Sequence, residues 1–138
     1  MFTETQRRGE AEIAAAKLEA VSNPAPQRDY SVDLTYPEFT CKCPRTGYPD
    51  FATISLSYIP DKSICELKSF KLYLNRFRDS YSFHEAVTNQ ILDDFVAAIR
   101  PRHAEIVADW NPRGNLHTVV RAEYHASPEI ESIEISQR

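Results

Sequence analysis

The chain has 138 residues, of which 42% are hydrophobic, which is enough for the core of one ordinary domain and too little for two. Its formal net charge of -4 excludes a general attraction to nucleic acid or to an anionic membrane. The sequence has no apolar run near the roughly 20 residues that span a bilayer, and no apolar signal segment at its N-terminus. Its three cysteines, an odd number, favour free thiols in a reducing compartment, so we expect a soluble cytoplasmic protein.

The first part of the chain predicts an arm followed by a strand and a loop. Residues from about Gly9 to Val21 are good helix formers but prolines follow, so an arm or a frayed helix is expected over residues 1–29. Apolar and polar residues alternate from Tyr30 to Tyr36, which is typical of a strand with one wet face, and Pro37 is expected to close it. The segment Phe39 to Asp50, FTCKCPRTGYPD, is then predicted to be a loop.

A strand and two helices are predicted in the middle of the chain. Alternation predicts the strand from Phe51 to Ile59. Apolar residues at a 3, 4, 3 spacing place one face of the first helix in the core: Leu67, Phe70, Leu74 and Phe77. The second helix is expected to start at an N-cap, Ser82, with Glu85 in a capping box, and to end before Pro101. Its apolar stripe comprises Phe83, Val87, Ile91, Phe95 and Ala98.

Two further strands are predicted near the C-terminus. Ala104 to Trp110 alternates, Asn111 to Asn115 has the composition of a turn, and Leu116 to Tyr124 is β-branched enough for a partner strand. Residues 126–138 are expected to form a short edge strand or a mobile tail.

The order of these elements predicts an α+β domain over residues 30–125. Strand pairs that flank two helices favour a four-stranded antiparallel sheet with both helices on one face (ββααββ). Because open sheet edges are liabilities in a monomer, we expect subunits to join edge to edge into rings.

The predicted cysteine loop contains the candidate nucleophile. A free thiol is only a few per cent thiolate at pH 7, so a nucleophilic Cys43 needs a nearby cation such as Arg45 to lower its pKa. A buried structural cysteine is the alternative. Cys41 and Cys43 with His84 or His103 make only a weak zinc pattern, because no second Cys/His pair has zinc-like spacing.

The charged residues of the two helices each allow two interpretations. Lys68 and Lys71 share one helical face, which is either a solvated surface or a pair that binds phosphate. His84 and Glu85 are either ordinary residues of a first helical turn or ligand contacts.

Three motifs, taken together and in order, resemble one family. The segment ELKSFKLYL resembles the nitrile reductase motif of the 7-cyano-7-deazaguanine reductases, E-(S/L)-K-(S/A)-x-K-L-Y. The loop CPRTGYPDFATI before it and the pair His84-Glu85 after it are similar to the rest of that family's active site. The resemblance runs from about Glu38 to Glu85 and continues more weakly through the Pro-Arg-Gly turn.

The resemblance implies the short, single-module form of the enzyme, with the tunnelling fold and a homo-oligomer of stacked rings, a decamer by family analogy. Family members use two NADPH to reduce the nitrile of 7-cyano-7-deazaguanine to the aminomethyl group, in the queuosine pathway of tRNA modification. The substrate is the free base, so no contact with nucleic acid is expected. Two other functions stay open, a zinc-dependent cyclohydrolase-like enzyme acting on a purine nucleotide and a non-catalytic purine-binding module.

The resemblance also assigns roles to individual residues. It makes Cys43 the thiolate that forms a covalent thioimide with the nitrile, and Asp50 the proton donor and acceptor. It implies a substrate pocket of five residues: Cys65, Glu66, Leu67, His84 and Glu85. The NADPH phosphates are expected on three cationic side chains: Lys68, Lys71 and Arg113. No metal is expected in this site.

Overall fold

The computed structural model describes residues 6–127. The helices in this range are α1 (Arg8–Ala14), α2 (Leu67–Asn75) and α3 (His84–Ile99), and a 3-10 turn (Arg76–Asp79) extends α2. The strands are β1 (Ala20–Ser22), β2 (Val32–Lys42), β3 (Pro49–Ile59), β4 (Ser63–Cys65), β5 (His103–Trp110) and β6 (Val119–His125). Strands β2, β3, β5 and β6 form an antiparallel sheet in that order, and β1 pairs with β4 in a small second sheet.

The alternation in β3 decides which face of the large sheet is buried. Ile54, Leu56 and Tyr58 are almost fully buried, and the residues between them are half-exposed. Their cross-strand partners on β5, which are also buried, are Ala108, Ile106 and Ala104. One face of the sheet is therefore apolar and the other is wet.

Both long helices pack on the apolar face. The ring of Phe95 in α3 lies 4.9 Å from that of Tyr58 in β3 and 6.0 Å from that of Phe70 in α2. Phe77, just after α2, meets Phe39 of β2 at 5.8 Å. The predicted ββααββ arrangement is thereby confirmed. None of the helices within residues 6–127 is long and apolar enough to cross a membrane.

The prediction that Pro37 closes the first long strand is wrong. Strand β2 continues to Lys42, through the first part of the predicted loop. The register shifts between Tyr36 and Phe39, where two residues of β2 oppose one residue of β3 in a bulge. A bulge on an edge strand tolerates proline because no ladder hydrogen bond needs its missing N–H. Only residues 43–48 are left to form the turn.

The predicted capping box of the second helix is also wrong. Helix α3 begins at His84 with Phe83 at the N-cap, and no side chain caps it. The backbone of Ser82 is held beside β2, where its N–H donates to the carbonyl of Lys42 at 3.0 Å. Its hydroxyl donates to the carbonyl of Phe83 instead of accepting from the helix. The end of α3 agrees with the prediction, because Arg100 takes a left-handed conformation ahead of Pro101.

Two residues of the predicted apolar stripes lie outside the core. Leu67 is 64% exposed and Phe83 is 54% exposed, whereas Phe70, Val87 and Phe95 are buried as expected. Helix α1 is shorter than the predicted N-terminal helix, since residues 20–22 pair with β4. The predicted tail lies almost entirely beyond residue 127, outside the described residues.

Candidate active site

A tight turn between β2 and β3 presents Cys43. The last register pairs of this hairpin are Cys41 with Asp50 and Lys42 with Pro49. Beyond them, the N–H of Cys43 donates to the carbonyl of Tyr48 at 2.8 Å, and the N–H of Gly47 donates back to the carbonyl of Cys43 at 2.8 Å. Gly47 has φ +75, which a residue without Cβ adopts readily. The thiol therefore stands on a turn that both strands hold in place.

The turn makes Cys43 the most acidic thiol of the chain. Hydrogen bonds from the hydroxyl and backbone of Thr46, then from the backbone of Arg45 and the guanidinium of Arg113, lower its pKa from 9.0 to about 7. Burial raises the pKa of Cys41 to about 12 and that of Cys65 to about 11. At neutral pH only Cys43 is substantially a thiolate.

A buried carboxylate lies next to this turn. Asp50, at the start of β3, is 4% exposed. Its Oδ1 accepts a hydrogen bond from the guanidinium of Arg113 at 2.5 Å, and its Oδ2 lies 3.3 Å from Nε2 of His84. A charge this deeply buried needs such partners, because an unpaired carboxylate would be costly to desolvate. Cys43, Asp50, His84 and Arg113 therefore form one connected group.

The segment before α3 brings His84 to this group. The N–H of Lys42 donates to the carbonyl of Ser80 at 2.9 Å, so residues 80–82 run beside the end of β2. The imidazole of His84 then stacks on the indole of Trp110, with ring centroids 3.9 Å apart and planes 5° apart. Glu85 follows in the first turn of α3, exposed, where the helix dipole favours a carboxylate.

The remaining predicted substrate residues lie at the junction of β4 and α2. The carboxylate of Glu66 is the N-cap of α2, accepting from the N–H of Lys68 at 2.9 Å and from the N–H of Ser69 at 2.7 Å. Cys65 is buried, and its N–H donates to the hydroxyl of Tyr58 at 3.0 Å. Carboxylate oxygens have further lone pairs, so a cap role leaves Glu66 able to accept from a ligand.

A single chain does not bring these two groups together. Asp50 and Tyr58 are eight residues apart on β3, and the Tyr58 hydroxyl accepts from the N–H of Cys65, so roughly 25 Å of strand separates the two groups. Leu67, Lys68 and Lys71 are exposed and belong with the distant group. The first group contains Cys43, Asp50, His84, Glu85 and Arg113, and the second contains Cys65, Glu66, Leu67, Lys68 and Lys71.

Comparison with known proteins identifies the family. A family model described as QueF-like protein matches residues 49–129. A protein of Synechocystis sp. is 58% identical over 87% of this chain and 88% of its own length, and one of Aquifex aeolicus is 57% identical over 88% and 94%. Both are named NADPH-dependent 7-cyano-7-deazaguanine reductase. The chain belongs to this QueF-like family.

The fold of the QueF-like chain also matches a solved structure. The crystal structure of the archaeosine synthase QueF-Like in the apo form aligns with a TM-score of 0.65 over 71% of this chain and 96% of that one. At 22% identity the likeness shows the fold alone. The resemblance read from the sequence and the predicted fold class are both confirmed.

Sequence reasoning missed three features of the QueF-like site. Arg113, which the resemblance assigns to the cofactor, also contacts Asp50 and lowers the pKa of Cys43. Arg45 lowers the pKa of the thiol through its backbone and not as a cation, and Thr46 has the larger effect. The stacking of His84 on Trp110 joins residues 26 positions apart, and no local pattern indicates it. Of these features, only the role of Thr46 has a signal in the sequence, because Thr46 precedes Gly47 in a short turn.

Several large apolar side chains near the thiol end of the sheet are exposed. They lie in or next to the two hairpin turns and in the segment before α3, and they are more than 45% exposed: Tyr48, Phe51, Tyr81, Phe83 and Leu116. Exposed large apolar side chains concentrated at one end of a fold indicate that another surface or a flat ligand covers them. We call these five residues the apolar rim.

Proposed function

We propose that this chain is an NADPH-dependent 7-cyano-7-deazaguanine reductase that converts the nitrile of the free base to an aminomethyl group in the queuosine pathway. The relatives with 55–58% identity that carry this name support the proposal. The observation that carries it is a thiol of lowered pKa beside a buried carboxylate, at the position that the family motif assigns to the nucleophile. A zinc-dependent cyclohydrolase gains no support, since the metal-type cluster found within residues 6–127 lies at the opposite end of β3 from Cys43 and Asp50.

The chemistry begins with the Cys43 thiolate. Its sulfur forms a bond to the nitrile carbon, and one π bond of the nitrile becomes a lone pair on nitrogen that takes a proton. The product is a thioimide, in which a C=N group replaces the unreactive triple bond. The adjacent His84–Asp50 pair is proposed to deliver that proton, with Asp50 passing it on as acceptor and donor, and Arg113 holds Asp50 in place.

Reduction needs two hydrides, which bound NADPH would supply, one from each of two molecules. After hydride addition at the thioimide carbon, the C–S bond would break and Cys43 would leave as a thiolate. The resulting imine would take the second hydride at carbon and a further proton at nitrogen to give the amine. Lys68 and Lys71 are exposed ammonium groups suited to the cofactor's phosphates. Arg113 is the third predicted phosphate contact.

The purine-like edge of the substrate matches the carboxylates. Its adjacent N–H donors suit Glu85 and Glu66, and a ligand without those donors would leave buried charge unpaired. The backbone of Cys65 and Leu67 is proposed to line the same pocket, and His84 to face the nitrile.

The complete site is proposed to need two copies of the chain. Glu85 belongs to the first group of residues, which contains Cys43, and Glu66 belongs to the second group. One substrate molecule therefore reaches both carboxylates only if a neighbouring subunit supplies the second group. The apolar rim and exposed Leu67 are surfaces that such a neighbour would cover. This agrees with the expected assembly of subunits edge to edge into stacked rings.

A mass measurement tests the chemistry. Incubation with 7-cyano-7-deazaguanine in the absence of NADPH is expected to add the mass of one substrate molecule to Cys43, and addition of NADPH to oxidise about two equivalents per substrate. Cys43→Ala is expected to abolish both results, and Cys41→Ala, the matched control, to retain them. Full turnover by Cys43→Ala would overturn the proposal.

Mixing of inactive variants tests the shared site. Cys43→Ala and Glu66→Gln, refolded together, are expected to recover activity. At an interface between the two variants, the Glu66→Gln chain supplies an intact Cys43 and the Cys43→Ala chain supplies an intact Glu66. Cys43→Ala mixed with Glu85→Gln is the matched control and is expected to recover none, since both defects lie in one group. Equal recovery in the two mixtures, or none in either, would contradict a site built from two chains.

A further inference from the structure

A cluster of metal-binding side chain types lies at the far end of the sheet from the thiol. Nε2 of His103 on β5 lies 2.8 Å from Oε1 of Glu123 on β6, and Nε2 of His125 lies 2.7 Å from the same oxygen. The two imidazole rings are 4.7 Å apart. All three ligand atoms fall within 4.8 Å of one another. We call these residues the His-Glu-His cluster.

The sheet register explains why the three residues converge. His103 and His125 are direct cross-strand partners, and Glu123 lies two residues from His125 on the same face of β6. Backbone hydrogen bonds fix the strand ends beside them, since the N–H of Arg102 donates to Ile59 at 2.8 Å and the N–H of Ala126 donates to Arg102 at 3.0 Å. The cluster is therefore held by the sheet ladder and not by a free loop.

The cluster is separate from the reactive thiol of its own chain. His103 pairs with Ile59 at the end of β3, whereas Asp50 is at its start. The two positions are nine residues apart, which corresponds to roughly 30 Å of strand. An ion bound here would lie too far from Cys43 of the same chain to touch the reacting atoms.

We propose that His103, Glu123 and His125 form a three-ligand site for zinc(II) or a similar divalent transition ion. Two imidazole nitrogens and one carboxylate are a donor set that zinc accepts, with a fourth position left for water. Ligand atoms of tetrahedral zinc are about 3.3 Å apart at bond lengths near 2.0 Å, so the two nitrogen–oxygen contacts need to widen by about half an ångström, and the two imidazole nitrogens already lie within 4.8 Å of each other.

The protons on the two imidazoles do not prevent metal binding. Both Nε2 atoms face one carboxylate oxygen, so in the metal-free state each donates its proton to that oxygen. On binding, each imidazole moves its proton to Nδ1 and turns the Nε2 lone pair toward the ion, while Glu123 keeps its negative charge. The ion would then connect the ends of β5 and β6.

Equilibrium dialysis against zinc chloride, followed by metal analysis, tests the site. The full-length protein is expected to bind one zinc per chain at micromolar concentration, in the Cys43→Ala variant as well, which excludes the reactive thiol as the ligand. His103→Ala and His125→Ala are each expected to weaken binding by at least about tenfold, and Glu123→Gln by a similar factor.

The chain contains its own matched control. His117 lies 2.5 Å from Asp109 in an exposed pair outside the cluster, so His117→Ala is expected to change zinc affinity by less than about twofold. No binding by the wild-type protein below about 1 mM zinc would overturn the site. Unchanged binding in both cluster histidine variants would overturn it as well. Glu123→Gln keeps an acceptor for both imidazoles, so it separates loss of the metal from loss of the fold.

Discussion

Thr46 is predicted to control how reactive Cys43 is at neutral pH. Its hydroxyl is the largest of the contributions that lower the pKa of the thiol from 9.0 to about 7. At pH 7 a thiol of pKa 9 is about 1% thiolate and one of pKa 7 is about half thiolate. Complete loss of every contribution would therefore lower the thiolate fraction by about 50-fold. Thr46→Val removes the largest one, so we expect a loss of about five- to tenfold at pH 7.

The alkylation rate with iodoacetamide measures this fraction directly. In the wild-type protein the rate at Cys43 is expected to rise through a midpoint near pH 7, and in Thr46→Val the midpoint is expected to move toward 9. Cys41 and Cys65 are buried thiols with pKa values of about 12 and 11, so they react slowly in this range. Peptide mass analysis assigns the modified residue.

Two control variants make the test specific. Thr46→Ser keeps the hydroxyl and is expected to retain the wild-type midpoint. Thr40→Val removes a threonine hydroxyl from β2, where it donates to the carbonyl of Glu38, and is expected to leave the midpoint unchanged. A wild-type midpoint near 9, or a Thr46→Val midpoint equal to the wild type, would refute the role assigned to this turn.

Four further outcomes are expected. Arg113→Met should raise the alkylation midpoint of Cys43 by less than Thr46→Val does, because its hydrogen bond is the smallest of the contributions. Asp50→Asn should lower kcat for NADPH oxidation by at least about 100-fold, and a loss of less than tenfold would argue against an acid role. Ile106→Ala should cost about 2–5 kcal/mol in urea unfolding, since the side chain is fully buried, while half-exposed Val21→Ala should cost far less. Glu66→Ala should cost about 1 kcal/mol through the lost helix cap, and no change in urea midpoint would show that the cap is dispensable.

The sheet was predictable because its strands obey a simple local rule. Alternation in β3 and β5 reports burial on one face, although β3 begins at Pro49 and β5 at His103, ahead of the predicted starts at Phe51 and Ala104. The continuation of β2 past Pro37 was not predictable, because a bulge depends on the partner strand and not on the proline itself. The start of α3 failed for a related reason, since hydrogen bonds to β2 hold the backbone of Ser82 away from the cap position.

The sequence motifs name a set of candidate site residues, but they do not give the arrangement of those residues in space. The motif places Cys43 and Asp50 seven residues apart, and the hairpin register brings them together as a short turn requires. Glu66 and Glu85 are also close in the sequence, yet α2 runs between them and carries them to different ends of the molecule. The spacing of two residues on either side of a helix does not indicate whether they belong to one pocket within a chain or to a pocket shared by two chains. Only the surfaces that the folded subunit leaves exposed give that indication.

The sequence contains a single tryptophan, and it is the residue on which His84 stacks. Its indole N–H is buried and finds no acceptor within residues 6–127. Fluorescence from an indole is sensitive to a stacked imidazole and to the protonation of that imidazole. The emission of Trp110 therefore reports on the environment of His84. If a ligand binds beside His84 as proposed, its binding is expected to change this emission, which can be measured without a label and without turnover.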